Sequence, residues 1–98
     1  MTKEKTTISD PESGQIQNSS RLGIIGVIVE RIESAEQVNA ALHAHRALIA
    51  GRMGLPYRER GLSVISLIVD GPLDSINALT GALGRIPGVS VKMAVTSK

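Results

Sequence analysis

The sequence has no cysteine, no phenylalanine and no tryptophan, and its single aromatic residue is Tyr57. The lack of cysteine removes disulfides, thiolate zinc sites, iron–sulfur ligation and thiol nucleophiles together. The lack of aromatics argues against binding single-stranded nucleic acid by base stacking, which needs Phe, Tyr or Trp platforms. Charge of one sign is scarce too. The net charge is +2, and residues 1–20, with Lys3 and Lys5 against Glu4, Asp10 and Glu12, sum to −1 and leave +3 for residues 21–98. That is too weak for an obvious polyanion binder. Long hydrophobic runs are missing: the longest, glycine included, is Leu22 to Val29, far short of the roughly 20 residues that span a bilayer. Residues 1–20 also lack the apolar stretch of a secretory signal. No membrane span is expected, and the cytoplasm is the expected location. What is present is 42% apolar residues and ten glycines in 98 residues, enough for one small domain with a core of Ile, Val, Leu, Ala and Met.

Residues 1–20 carry only Met1, Ile8 and Ile16 as apolar side chains. Such a segment cannot bury enough surface to offset the entropy of ordering it, so a disordered polar tail is expected there, with the folded domain over 21–98. Leu22 to Val29 is β-branched and apolar on both alternating faces, the pattern of a strand covered on both sides. Ser34 with Gln37 three positions on matches a capping box, and Val38, Ala41, Leu42 and His45 then share a helical stripe. This helix either runs on towards Gly54 and Pro56 or stops near Arg46, with Leu48 to Met53 forming a strand; periodicity alone does not choose. Leu62 to Asp70 is a second strand with two apolar faces, and the turn-prone stretch from Gly54 to Gly61 makes a hairpin with Leu48–Tyr57 plausible. Gly71 and Pro72 open a second helix, whose stripe is Ile76, Leu79, Leu83 and Ile86 and which Pro87 and Gly88 end. Val89 to Val95 alternates as a half-buried strand.

The order strand, helix, strand, strand, helix, strand is that of a ferredoxin-like α+β sandwich, a four-stranded antiparallel sheet with two helices on one face. The first and third strands are its centre, and both point apolar residues each way. The uncovered sheet face then predicts a homodimer or homotetramer formed through it.

Few residues carry chemistry. His43 and His45 form a His-x-His pair, but two residues apart on a helix they point roughly 200° away from each other, so a shared metal ion is disfavoured against a capping or partly buried role. No glycine pattern matches a phosphate-binding loop; Gly81 and Gly84, inside the second helix, are expected to let it approach the sheet closely, and Gly23 and Gly26 to let a strand or a partner sheet approach. The concentrated charge is Arg52, Arg58, Glu59 and Arg60 around Tyr57. It reads as a solvated hairpin tip or, because arginine binds carboxylates and phosphates in bidentate fashion, as a site for an anion or a partner protein. Serines 63, 66, 75 and 90 have no His and Asp arrangement for nucleophilic catalysis. No enzyme and no cofactor are expected.

The segment Gly51-Arg52-Met53-Gly54-Leu55-Pro56-Tyr57-Arg58-Glu59-Arg60-Gly61, the following Ser63-Val64-Ile65-Ser66-Leu67-Ile68-Val69-Asp70-Gly71, and the stretches Ala78-Leu79-Thr80-Gly81 and Leu83-Gly84-Arg85-Ile86-Pro87-Gly88-Val89-Ser90-Val91-Lys92 resemble the regulator family of the iron-only hydrogenase system. The likeness covers about residues 22–95. It implies a ferredoxin-like fold related to ACT domains and to the C-terminal, metal-sensing domain of nickel-responsive regulators, and it implies that Leu48–Met53 is strand. The chain departs from those relatives: it lacks the cysteine of the nickel ligand set, its polar residues 1–20 are not expected to supply a ribbon-helix-helix DNA-binding domain, and its first turn, Glu30-Arg31-Ile32-Glu33, has no glycine. With the two-sided apolar strands and the arginine-rich hairpin, the resemblance leads to the expectation of a non-enzymatic, oligomeric regulatory or sensor module answering to a small anionic effector or a partner protein. The alternatives are a stand-alone DNA-binding transcriptional regulator and a metal sensor using His43 or His45.

Overall fold

The computed structural model describes residues 20–97; apart from Ser20, the tail expected over 1–20 lies outside the described residues. The chain forms β1 (Arg21–Val29), α1 (Ala35–Ala44), β2 (Ile49–Tyr57), β3 (Leu62–Gly71), α2 (Leu73–Gly84) and β4 (Val89–Val95), with single 3₁₀ turns at Ile32–Ser34, Arg46–Leu48 and Arg58–Arg60. The strands make one antiparallel sheet in the order β2-β3-β1-β4, so the two strands with two apolar faces are the central ones, as their composition requires.

The core lies on one face of this sheet. Ile25, Val27 and Val29 of β1 and Ile65, Leu67 and Val69 of β3 meet Val38 and Leu42 of α1 and Ile76, Leu79 and Leu83 of α2, all buried. Both helices are short, and their stability comes from laying these stripes on the sheet. β2 begins where periodicity was ambiguous. The Arg46–Leu48 turn breaks the helical period, and a register shift between Ile49 and Gly51 then interrupts the strand's own alternation, as a bulge does.

The capping-box expectation is corrected. Ser34 precedes α1, but its hydroxyl makes no capping bond; it donates instead to the Pro87 carbonyl at 2.5 Å. Ser34 is the one buried polar residue among those described, and it joins the start of α1 to the α2–β4 connection. The Glu30 amide donates to the Gly88 carbonyl at 2.8 Å beside it. Gly88 itself holds φ +76°, and a Cβ there would lie 2.6 Å from Arg31 Cγ. Ser34→Ala would leave the Pro87 carbonyl without this donor, an expected loss of about 1–2 kcal/mol readable as a lowered urea midpoint with unchanged slope. Gly88→Ala combines a left-handed backbone with a collision against Arg31, and is expected to cost about 2 kcal/mol or more in the same titration.

A second correction concerns the glycines of α2. A Cβ on Gly84 would meet nothing within 4 Å, and one on Gly81 only the Arg85 guanidinium, Nη1 at 3.3 Å. No strand presses on either. Gly23 does accommodate a neighbour, since its Cβ would stand 3.1 Å from the Ala94 carbonyl oxygen and 3.3 Å from Val69 Cγ2. Gly26 is roomier, with the Lys92 carbonyl 3.9 Å away.

Candidate functional site

The sheet offers two surfaces, and alternation along the strands sorts the candidate residues between them. Paired residues in an antiparallel sheet share a face. Arg52 pairs with buried Leu67 and Gly54 with Ile65, so Arg52, Gly54 and Pro56 of β2 face the helices. Met53, Leu55 and Tyr57 pair with Ser66, Val64 and Leu62 and face the other way. The structure therefore separates Arg52 from Tyr57. Arg58, Glu59 and Arg60 occupy the exposed turn between β2 and β3, which Gly61 closes with φ +68°.

On the helix side, β2 is an edge strand that no helix lies along in the way α2 lies along β4. A cleft of about 680 Å³ opens there between α1 and the β2–β3 hairpin. Its walls include Ile32, Ala35, Val38 and Pro56, its floor passes Gly54 and Ile65, and its charged residues are Arg52 and Arg58. A recess of about 600 Å³ continues along α1 past Leu42, His43, Arg46 and Ile49, with Asn39 and Arg52 common to both. Glu59, Arg60 and Tyr57 do not line either space.

The histidines lie at the C-terminal end of α1. His45 turns back on its own helix, its Nδ1 2.9 Å from the Ala41 carbonyl oxygen, while exposed His43 borders the recess. Arg46 Nη1 donates to the His43 carbonyl at 2.9 Å, a cation on the negative end of the helix dipole. Among the described residues no three His, Asp or Glu side chains cluster as metal ligands would. No helix among them is long and apolar enough to cross a membrane.

The other face of the sheet, which none of the described residues covers, is apolar. Of the large hydrophobic side chains that stand exposed, Leu22, Ile24 and Ile28 of β1, Met53, Leu55 and Tyr57 of β2 and Ile68 of β3 all lie on it. Ile24 is 55% exposed, Ile68 48% and Met53 72%. The register arranges them in rows across the strands. Ile68, Ile24 and Ala94 make one ridge, Leu55, Val64 and Ile28 another, and Ser66 with Gly26 leaves a furrow between. The charged side chains on this face, Asp70 at the end of β3 and Lys92 on the edge strand β4, stand at its margin.

These features define an α+β domain of ferredoxin-like topology with one bare, apolar sheet face and one arginine-flanked cleft. Residues 21–93 match the family described as "TM1266-like: Iron-only hydrogenase system regulator, putative", and the chain belongs to that family. It is similar to the protein TM1266 from Thermotoga maritima, with 36% identity and a TM-score of 0.77 over 81% of this chain and 100% of that one. Its fold is also that of the C-terminal domain of the MgtC protein from Mycobacterium tuberculosis, with 15% identity and a TM-score of 0.60 over 78% of this chain and 87% of that one. A further likeness is to apo CPII, a nitrogen regulatory PII-like protein from Thiomonas intermedia K12, with 14% identity and a TM-score of 0.51 over 82% of this chain and 95% of that one. Comparison with curated proteins finds no match.

Proposed function

We propose that the chain is a non-enzymatic regulatory module of the iron-only hydrogenase system that works as a homo-oligomer, its bare sheet face covered by a second copy. The observation that supports this most directly is the concentration of exposed Ile24, Ile28, Ile68, Met53 and Leu55 on one continuous face. Soluble monomers rarely expose a contiguous apolar patch of that kind without an associating partner. An uncharged centre with charge at the rim is also how protein interfaces are built, and the ridges beside a Gly26–Ser66 furrow give a second sheet relief to seat in. Sedimentation equilibrium of the full chain at micromolar concentration tests this. A mass of two or more chains is the expected result, and a monomer at those concentrations would overturn it. The family's description as a regulator supports the non-enzymatic part of the reading.

A further inference from the structure

The cleft beside α1 opens on the helix side of the sheet, and its lining also takes in Leu55 and Val64 at the edge of the face just discussed. Three features belong together. First, among the described residues the charged side chains on its lining are Arg52 and Arg58, and none of those lining it is acidic. Second, neither guanidinium has a hydrogen-bond or ion-pair partner among the described residues. Third, the remaining lining is largely apolar, and Ile32, a large hydrophobic side chain, stands 88% exposed at its edge. Scattered apolar residues need no explanation, but one so exposed beside a concave apolar wall and two cations with no partner among the described residues does.

From this we infer that the cleft is a binding site for an organic anion with an apolar body: a carboxylate or phosphate head held by Arg52 or by Arg58, at either end of the cleft, with the body against Ile32, Ala35, Val38 and Pro56. Arginine's planar fork matches either head group, and such charge-assisted bonds are the strong ones. The volume, about 680 Å³, falls in the roughly 300–1,000 Å³ range of small-molecule sites. Gly54 creates the space. It faces the helices between Arg52 and Pro56, and a Cβ added there would meet nothing within 4 Å. Any larger residue would extend into the place the ligand's body takes, without touching the protein's own packing.

That vacancy supplies the test. The full chain, labelled with ¹⁵N, is titrated with 4-phenylbutyrate, with phenyl phosphate and with inorganic phosphate, and amide shifts are followed. At least one organic anion is expected to saturate shifts at Asn39, Gly54 and Gly61, while Gly26 and Ser66 on the bare face stay still. Arg52→Ala or Arg58→Ala, each of which alters an exposed side chain, is expected to weaken binding about tenfold or more. Gly54→Val is expected to abolish it with the melting temperature and sedimentation mass unchanged. Inorganic phosphate binding as tightly as the organic anions would overturn the apolar-body assignment. Absence of saturable shifts with both organic anions, or shifts that persist at full affinity in both arginine variants, would overturn the site, whatever the sedimentation mass proves to be.

Discussion

Leu79→Ala is expected to remove most of the domain's stability. Leu79 is fully buried at the centre of α2's stripe, and truncating a buried leucine costs about 2–5 kcal/mol, the larger values where the surroundings cannot collapse into the space. Here they are poorly placed to do so. The opposing wall includes β-branched side chains, Ile25, Val27 and Val69, fixed in a hydrogen-bonded sheet, and β-branched residues have little rotamer freedom with which to refill a void. A single core of this size supplies only about 3–5 kcal/mol of net stability. Urea unfolding at fixed protein concentration is expected to show a variant that is partly unfolded without denaturant. A loss below about 1 kcal/mol would show that α2 is not seated in the core as described.

The second large effect is expected at the bare face. Ile24 and Ile68 pair across β1 and β3, each about half exposed, so converting both to lysine should leave the folded chain intact, the lysine stems lying along the sheet with their ammonium groups in water. Between two copies the same change removes four isoleucines. At about 1.5 kcal/mol for each buried side chain, the association is expected to weaken by about 6 kcal/mol, roughly ten-thousandfold, before the penalty of burying charge is counted. Sedimentation should then show a monomer at micromolar concentration with an unchanged far-ultraviolet circular dichroism spectrum. An assembly of undiminished mass would place the contact elsewhere, on an edge strand or a helix.

How much of this was legible in the sequence follows from how local the determining interactions are. β1, β3 and α2 are written in unbroken periods: the two-sided apolar runs before Val29 and Asp70, and Ile76, Leu79 and Leu83 at helical spacing. The order of elements and the bare face follow from them. The end of α1 and the start of β2 were ambiguous because an interposed 3₁₀ turn and a bulge at Ala50 belong to neither period, and because β2 is an edge strand with two glycines and a proline and little burial to impose alternation. Ser34 was legible as a helix-start residue, but not its partner, because Pro87 is 53 positions away in sequence. The arginine cluster stood out as a composition, yet the sheet divides it: Arg52 and Tyr57, five residues apart, must point to opposite faces of one strand, a parity the sequence held all along. Ile32, Asn39 and Gly54 left no comparable signal. Each is ordinary by itself and joins the lining of the cleft only when α1 is set beside β2.

The junction where Ser34 meets Pro87 bears on how such a cleft behaves. The start of α1 is moored to the α2–β4 connection by the Ser34 hydroxyl and, through the preceding turn, by the Glu30 amide on Gly88. The α1 wall is thereby preorganised: it is in place before any ligand arrives, and no ordering of that wall is subtracted from the affinity. The opposite wall is an edge strand, hydrogen-bonded on one side only and interrupted by a bulge. Adjustment to an anion in the proposed site would therefore fall to β2 and the Arg58–Arg60 turn, the hairpin that carries both arginines.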